Sequence, residues 1–92
     1  MQASDKTEFS RAVGLLVRRM RDNCKLTQTE FCEKAGITQS MLSRIEIGTC
    51  EVSCFTLSRI CAAADVDVLG VLRQVPVVVE SMKLLDETLR TK

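Results

Sequence analysis

Apolar residues return at every third or fourth position along most of the chain, which is the spacing of one side of a helix. Phe9, Val13, Leu16, Val17 and Met20 repeat in this way and predict an amphipathic helix over residues 6–22. Asp5 with Glu8 supplies a start signal for it and Arg21-Asp22-Asn23 a stop. Gly14 weakens the prediction, because a glycine inside a helix costs about 1 kcal/mol against alanine.

The next signals are local and chemical. Thr27 and Glu30 have the spacing of a capping box, in which the hydroxyl takes a free amide of the first turn and the carboxylate reaches back to the threonine amide. A second helix follows over about 28–34 and ends at Ala35-Gly36, where glycine can take the left-handed conformation of a C-cap. Thr38 caps a third helix that runs to about Ile45, and Gly48 closes the next turn. Ser53 caps a fourth over about 54–64, with Leu57, Ile60, Cys61 and Ala64 on one face, and residues 67–74 read as a short fifth.

Pro76 is expected to interrupt the pattern, since it lacks an amide donor and disfavours helix at the residue before it. Helical spacing then resumes. Val71, Val75, Val78, Met82, Leu85 and Leu89 alternate steps of four and three, a heptad-like stripe that crosses the proline. The β-branched run Val75-Pro76-Val77-Val78-Val79 also admits a short strand. The expected organisation is an all-α, five-helix domain over residues 1–74 with a C-terminal helix over 75–92.

The second and third helices are too short to be stable alone. They must pack on the rest through Phe31, Ala35, Ile37, Leu42 and Ile45. That choice of inner face leaves Gln39, Ser40, Ser43 and Arg44 on the outer one.

Composition narrows what this face can serve. In 92 residues there is no His, Trp or Tyr. No nucleophile–base pair or phosphate-binding loop is recognisable, so an enzyme is not expected, nor a cofactor. The cysteines at 24, 32, 50, 54 and 61 include no CxxC pair, and without His a zinc ion would need four of them. Cys32, Cys54 and Cys61 are expected as small core residues, with Cys24 and Cys50 nearer the surface at helix ends. The polar N-terminal segment lacks the apolar stretch of a signal peptide, and no apolar run approaches the roughly 18 residues of a membrane span. A cytoplasmic protein with no membrane contact is expected. Net charge is only +1, unevenly spread: six basic and three acidic residues over 1–25, four and six over 26–75. Any contact with nucleic acid must therefore be local.

The segment Leu26–Gly48, "LTQTEFCEKAGITQSMLSRIEIG", together with "SCFTLSRICAAADV", resembles the Cro/CI-type (XRE-like, lambda-repressor-like) helix-turn-helix DNA-binding regulators, over roughly Val13 to Leu72. The resemblance rests on Thr27-Gln28, Gly36, Ser43-Arg44-Ile45-Glu46 and Gly48. It implies a sequence-specific transcriptional regulator, a repressor or operon controller, that binds duplex DNA. Gln28 matches the position that holds a phosphate at a helix N-terminus. Thr38, Gln39, Ser40, Ser43 and Arg44 match the recognition-helix positions, with Thr38 on the backbone side. The side chains suit the task independently: Gln can pair bidentately with adenine and Arg with guanine. Lys25 and Thr49 are further backbone candidates. Arg21 and Glu46 match an ion pair that ties the first helix to the end of the third.

Two departures stand out. Ile47 replaces the usual Asn, and the following loop, Thr49-Cys50-Glu51-Val52, lacks basic residues and carries a glutamate that would repel phosphate unless turned away. The C-terminal stripe, through Val78, Met82, Leu85 and Leu89, suggests a homodimer presenting two recognition helices to near-palindromic half-sites. A regulatory protein partner is a further expectation. The rival reading is a protein-interaction adaptor or antitoxin that keeps the fold with little specific DNA binding.

Overall fold

The structure, a computed structural model, describes residues 3–90. Its helices are α1 (Ala3–Cys24), α2 (Gln28–Ala35), α3 (Gln39–Ile47), α4 (Cys54–Ala63) and α5 (Val68–Arg90). The all-α fold is as expected. α1 already runs at Ala3, ahead of the expected start, and the side chain of Asp5 lies outside the described residues.

The short helices are delimited by the chemistry read from the sequence. Thr27 Oγ1 accepts from the Glu30 amide at 3.1 Å, and Glu30 Oε1 accepts from the Thr27 amide at 2.9 Å. The backbone donor holds the Glu30 carboxyl below the ordinary glutamate range. Thr38 and Ser53 cap α3 and α4 by accepting from the Met41 and Thr56 amides at 3.0 and 3.1 Å. Gly36 and Gly48 close α2 and α3 at φ +72° and +86°, in the left-handed region that favours glycine. Asp67 opens α5, its carboxylate accepting from the Gly70 amide at 3.3 Å.

A single apolar core joins the five helices: Val13, Leu16 and Val17 of α1, Phe31 and Cys32 of α2, Leu42 and Ile45 of α3, Leu57, Ile60 and Cys61 of α4, and Val71 and Val75 of α5. α1 crosses α3 on one side and α5 on the other, while α2 packs on α3 and α4. Phe9, although in the periodic stripe of α1, is 46% exposed, because the core ends one turn further along the helix. Cys54, expected inside, is exposed at the first turn of α4; Cys24 and Cys50 are half-buried.

The largest departure from expectation is α5. Pro76 neither breaks it nor begins a strand, and the two helices expected on either side of it are one. The missing donor at Pro76 leaves the Leu72 carbonyl without its helical partner, at a cost of about 3 kcal/mol in an isolated helix. Tertiary packing offsets that cost, because Val71 and Val75 before the proline and Val78, Val79 and Met82 after it pack on the same core. The dimer stripe is thereby divided. Val78 and Met82 are half-buried against their own domain, whereas Leu85 and Leu89 are 60% and 61% exposed. No described helix is long and apolar enough to cross a membrane.

At Gly14 the backbone of α1 lies tight against the end of α3. A Cβ there would lie 2.8 Å from the carbonyl oxygen of Glu46 and closer still to that of Ile45. Both obstacles are backbone, so neither can swing aside. Gly14→Ala raises intrinsic helix propensity by about 1 kcal/mol yet should lower stability by about 1–3 kcal/mol overall through overpacking. Urea unfolding decides the sign; a raised midpoint would mean that α1 can withdraw from α3 at no net cost.

Candidate nucleic-acid interface

α3 has two faces with different fates. Leu42 and Ile45 are 0% and 2% exposed and anchor it to the core, while Gln39, Ser40 and Arg44 are exposed and Ser43 is half-buried. One turn of helix separates Gln39 and Ser40 from Ser43 and Arg44, so the four form a single stripe. Ile47, 69% exposed, continues it at the C-terminal end. Arg44 meets no carboxylate among the described residues, so its guanidinium is free for an outside acceptor.

The N-terminal ends of α2 and α3 are stitched together by side chains. Gln28, first residue of α2, donates from Nε2 to Ser43 Oγ at 3.3 Å. Gln39, first residue of α3, donates from Nε2 to Thr29 Oγ1 at 2.7 Å. The structure thus brings Gln28 to the α3 stripe, as well as Thr29, which carries no signal in the sequence because its role exists only once the two helix ends meet. The Thr38 hydroxyl is engaged as the cap of α3. Lys25 is exposed at the end of α1, in the left-handed conformation at φ 57°. Thr49, also exposed, donates to the Arg44 carbonyl at 3.3 Å and so covers one of the last acceptors of α3.

α3 is held in place from behind by α1. Arg21 Nε and Nη2 donate to the two carboxylate oxygens of Glu46 at 2.8 and 3.1 Å, a two-pronged pair whose side chains are 18% and 10% exposed. The hydrogen bond to Glu46 raises the already high pKa of Arg21. Further along, Gly48 meets the backbone of Arg11, and Glu51 forms an ion pair with Lys6. The acidic residue of the α3–α4 loop is therefore paired, at the surface, with a side chain of α1. Lys6, Ser10 and Thr49 line a polar recess beside this pair. At the other edge of the loop Phe55 is 68% exposed, with the Arg59 guanidinium 5.4 Å from its ring centre. Among the described residues no group of three or more Cys, Asp or Glu side chains converges as a metal site would require.

Comparison with known proteins identifies the fold. A family model described as a helix-turn-helix domain matches residues 12–74. The structure is similar to a crystal structure of the clp gene regulator ClgR from Corynebacterium glutamicum, with 25% identity, a TM-score of 0.84, and coverage of 90% of this chain and 88% of that one. A second structure of that regulator shares 29% identity at a TM-score of 0.69, covering 74% of this chain and 88% of that one. The restriction-modification controller protein C.AhdI from Aeromonas hydrophila has the same fold at 22% identity and a TM-score of 0.62, over 74% of this chain and 97% of its own. No curated protein matches the sequence.

The shielding of the Arg21–Glu46 pair sets its expected strength. In a double-mutant cycle of Arg21→Ala and Glu46→Ala, the coupling in unfolding free energy should be about 1.5–3 kcal/mol, as for hydrogen bonds to charged groups. A coupling below about 0.5 kcal/mol would class the pair with ordinary surface ion pairs.

Proposed function

The chain belongs to the helix-turn-helix domain family, and from that premise we propose that it is a sequence-specific DNA-binding transcriptional regulator, a repressor or operon controller acting as a homodimer in the cytoplasm. The observation that carries the reading is the division of α3. Its inner side is wholly buried, and Gln39, Ser40, Ser43 and Arg44 form a continuous polar stripe on the other. A helix so exposed fits the major groove, where Gln and Arg can each make two hydrogen bonds to a purine edge. Gln28, Thr38 and Thr49 flank the stripe and, with Lys25, are assigned to the sugar–phosphate backbone, with the free amides at the start of α2 favouring a phosphate. Similarity to a regulator of clp genes supports transcription as the process served.

Net charge is +1, so affinity must come from a few contacts on each of two copies. Dimerisation is assigned to the end of α5, where Leu85 and Leu89 of the proposed interface are exposed while Val78 and Met82 also serve their own core. Burying the two leucines on each chain contributes on the order of 1.5–3 kcal/mol per side chain as an upper figure. Two copies place two recognition helices about one DNA turn apart, hence on a near-palindromic operator.

A second reading, an adaptor or antitoxin that binds protein through this face, draws support from Ile47 and Phe55, both more than two-thirds exposed beside α3. Gel retardation on DNA selected from random fragments, across a salt series, separates the two. Arg44→Ala should weaken the selected site by about 1–3 kcal/mol and relax preference at one base pair, with random DNA weakened less. Equal, feeble binding of every sequence by the unaltered chain favours the adaptor. The assembly is tested by sedimentation: the natural chain should run as a dimer and the double variant Leu85→Asp/Leu89→Asp as a folded monomer. A dimer that survives both substitutions has its interface elsewhere.

A further inference from the structure

Ile47 is the last residue of α3 and is 69% exposed, on a stripe whose other members are polar. Leu42 and Ile45 of the same helix are buried and Met41 packs on the core, so Ile47 is the one large apolar side chain that α3 turns outward. It stands seven residues, two helical turns, from Ser40, and the two therefore lie on one line. Resting on the regulator reading, we propose that Ile47 is a further specificity-determining residue, which selects thymine through contact with its C5-methyl group in the major groove.

Thymine is the one DNA base that carries an apolar group on its major-groove edge. An aliphatic side chain gains by covering that methyl group. Against the other bases it covers donors and acceptors without pairing them, which costs desolvation. Both effects favour thymine. The side chain is also held for such a contact. The Gly48 amide donates to the Arg44 and Ile45 carbonyls at 3.1 and 3.0 Å and the Thr49 amide to the Arg44 carbonyl at 3.1 Å, so the last turn of α3 is closed where Ile47 sits. Glu46, the residue before it, is gripped by Arg21. The branched Cβ of isoleucine restricts χ1, so little side-chain freedom is lost on contact. One turn back on α3 stand Ser43 and Arg44, so Ile47 does not extend an apolar patch along the helix, as a protein partner ordinarily requires. A single methyl group requires only one apolar side chain. Position indicates which base is read. Ile47 lies about 4.5 Å beyond Arg44 along the helix, against about 3.4 Å per base step, so the thymine belongs about one or two base pairs from the pair that Arg44 reads.

The test uses the full-length chain and a site selected from random DNA, with binding read by competition. Arg44→Ala locates the base pair that Arg44 reads. Each thymine near it is then replaced in turn by deoxyuridine, which lacks only the methyl group. At the thymine that Ile47 meets, this replacement should weaken binding by the natural chain roughly three- to fivefold, about the factor of one buried methyl group. Ile47→Ala, which trims an exposed side chain, should bind the thymine and deoxyuridine forms alike at that pair and keep the penalties at other thymines. Ile47→Val should retain most of the discrimination. If Ile47→Ala weakens all DNA alike and leaves every deoxyuridine penalty in place, Ile47 touches the backbone or supports the helix, and the proposal is overturned. If it leaves DNA binding unchanged, Ile47 serves another partner and the proposal again fails. Should the unaltered chain discriminate no sequences at all, the regulator reading falls and the proposal falls with it, a result distinct from the other two.

Discussion

At Gly14 the backbone of α1 rests directly on the last carbonyls of α3, closer than a side chain would permit. Two further contacts extend this line. Gly48 receives the backbone of Arg11, and about two turns beyond Gly14 the Arg21 guanidinium grips Glu46. Glycines provide proximity and the ion pair provides direction. Van der Waals attraction falls steeply with a gap of even half an ångström or so, so the apolar seam formed by Val13, Leu16, Val17, Leu42 and Ile45 depends on that proximity. The nine residues of α3 cannot hold a helix in water without it. The outer stripe is thus an indirect product of the inner contact: α3 presents Gln39, Ser40, Ser43 and Arg44 in register because its other side is immobilised.

The local parts of this arrangement were legible in the sequence and the distant parts were not. The Thr27–Glu30 box, the caps at Thr38 and Ser53, and the left-handed glycines at 36 and 48 involve groups a few residues apart, so spacing alone reveals them. Gly14 shows the limit. Read along the chain it only weakens a helix; read in space it lets the backbone of α1 lie against the last carbonyls of α3. The same holds for Pro76, whose local penalty is overridden by apolar contacts on both sides of it, and for Phe9 and Cys54, which lie in or beside apolar patterns but beyond the reach of the core. Arg21 and Glu46 stand twenty-five positions apart, and only resemblance to a family pointed to their pairing. The bond from Gln39 to Thr29 had no sequence signature of any kind.

Electrostatics follow the same division between sum and place. A net charge of +1 argues against a broad attraction to DNA, and the loop after α3 offers no basic residue. Lys6 nevertheless reaches that loop from α1 and pairs with Glu51 at the surface. What the ion pair supplies is a reduced repulsion rather than a new attraction. With little long-range steering, discrimination must rest on short-range hydrogen bonds, and these demand orientation. On the proposed reading the side-chain bridges from α2 to α3 suit that demand: a protein with little charge to hold DNA gains most from keeping its few contact groups still.

α5 shows how one helix can answer to two interiors. Its first two turns, through Val71 and Val75, complete the domain core; Val78 and Met82 are shared between core and surface; Leu85 and Leu89 have left the domain and stay on the same stripe. Continuity through Pro76 is what makes this transition rigid. A break there would let the last turns swing independently of α3, and a second copy attached to them would hold its recognition helix at no fixed distance from the first. Because the helix does not break, the position of the terminal leucines is fixed relative to the core that also fixes α3. In the proposed dimer, the spacing of two recognition helices would then be set by packing inside each copy as much as by the contact between them. On the proposed reading, the buried half of the stripe and the exposed half would serve a single geometric end.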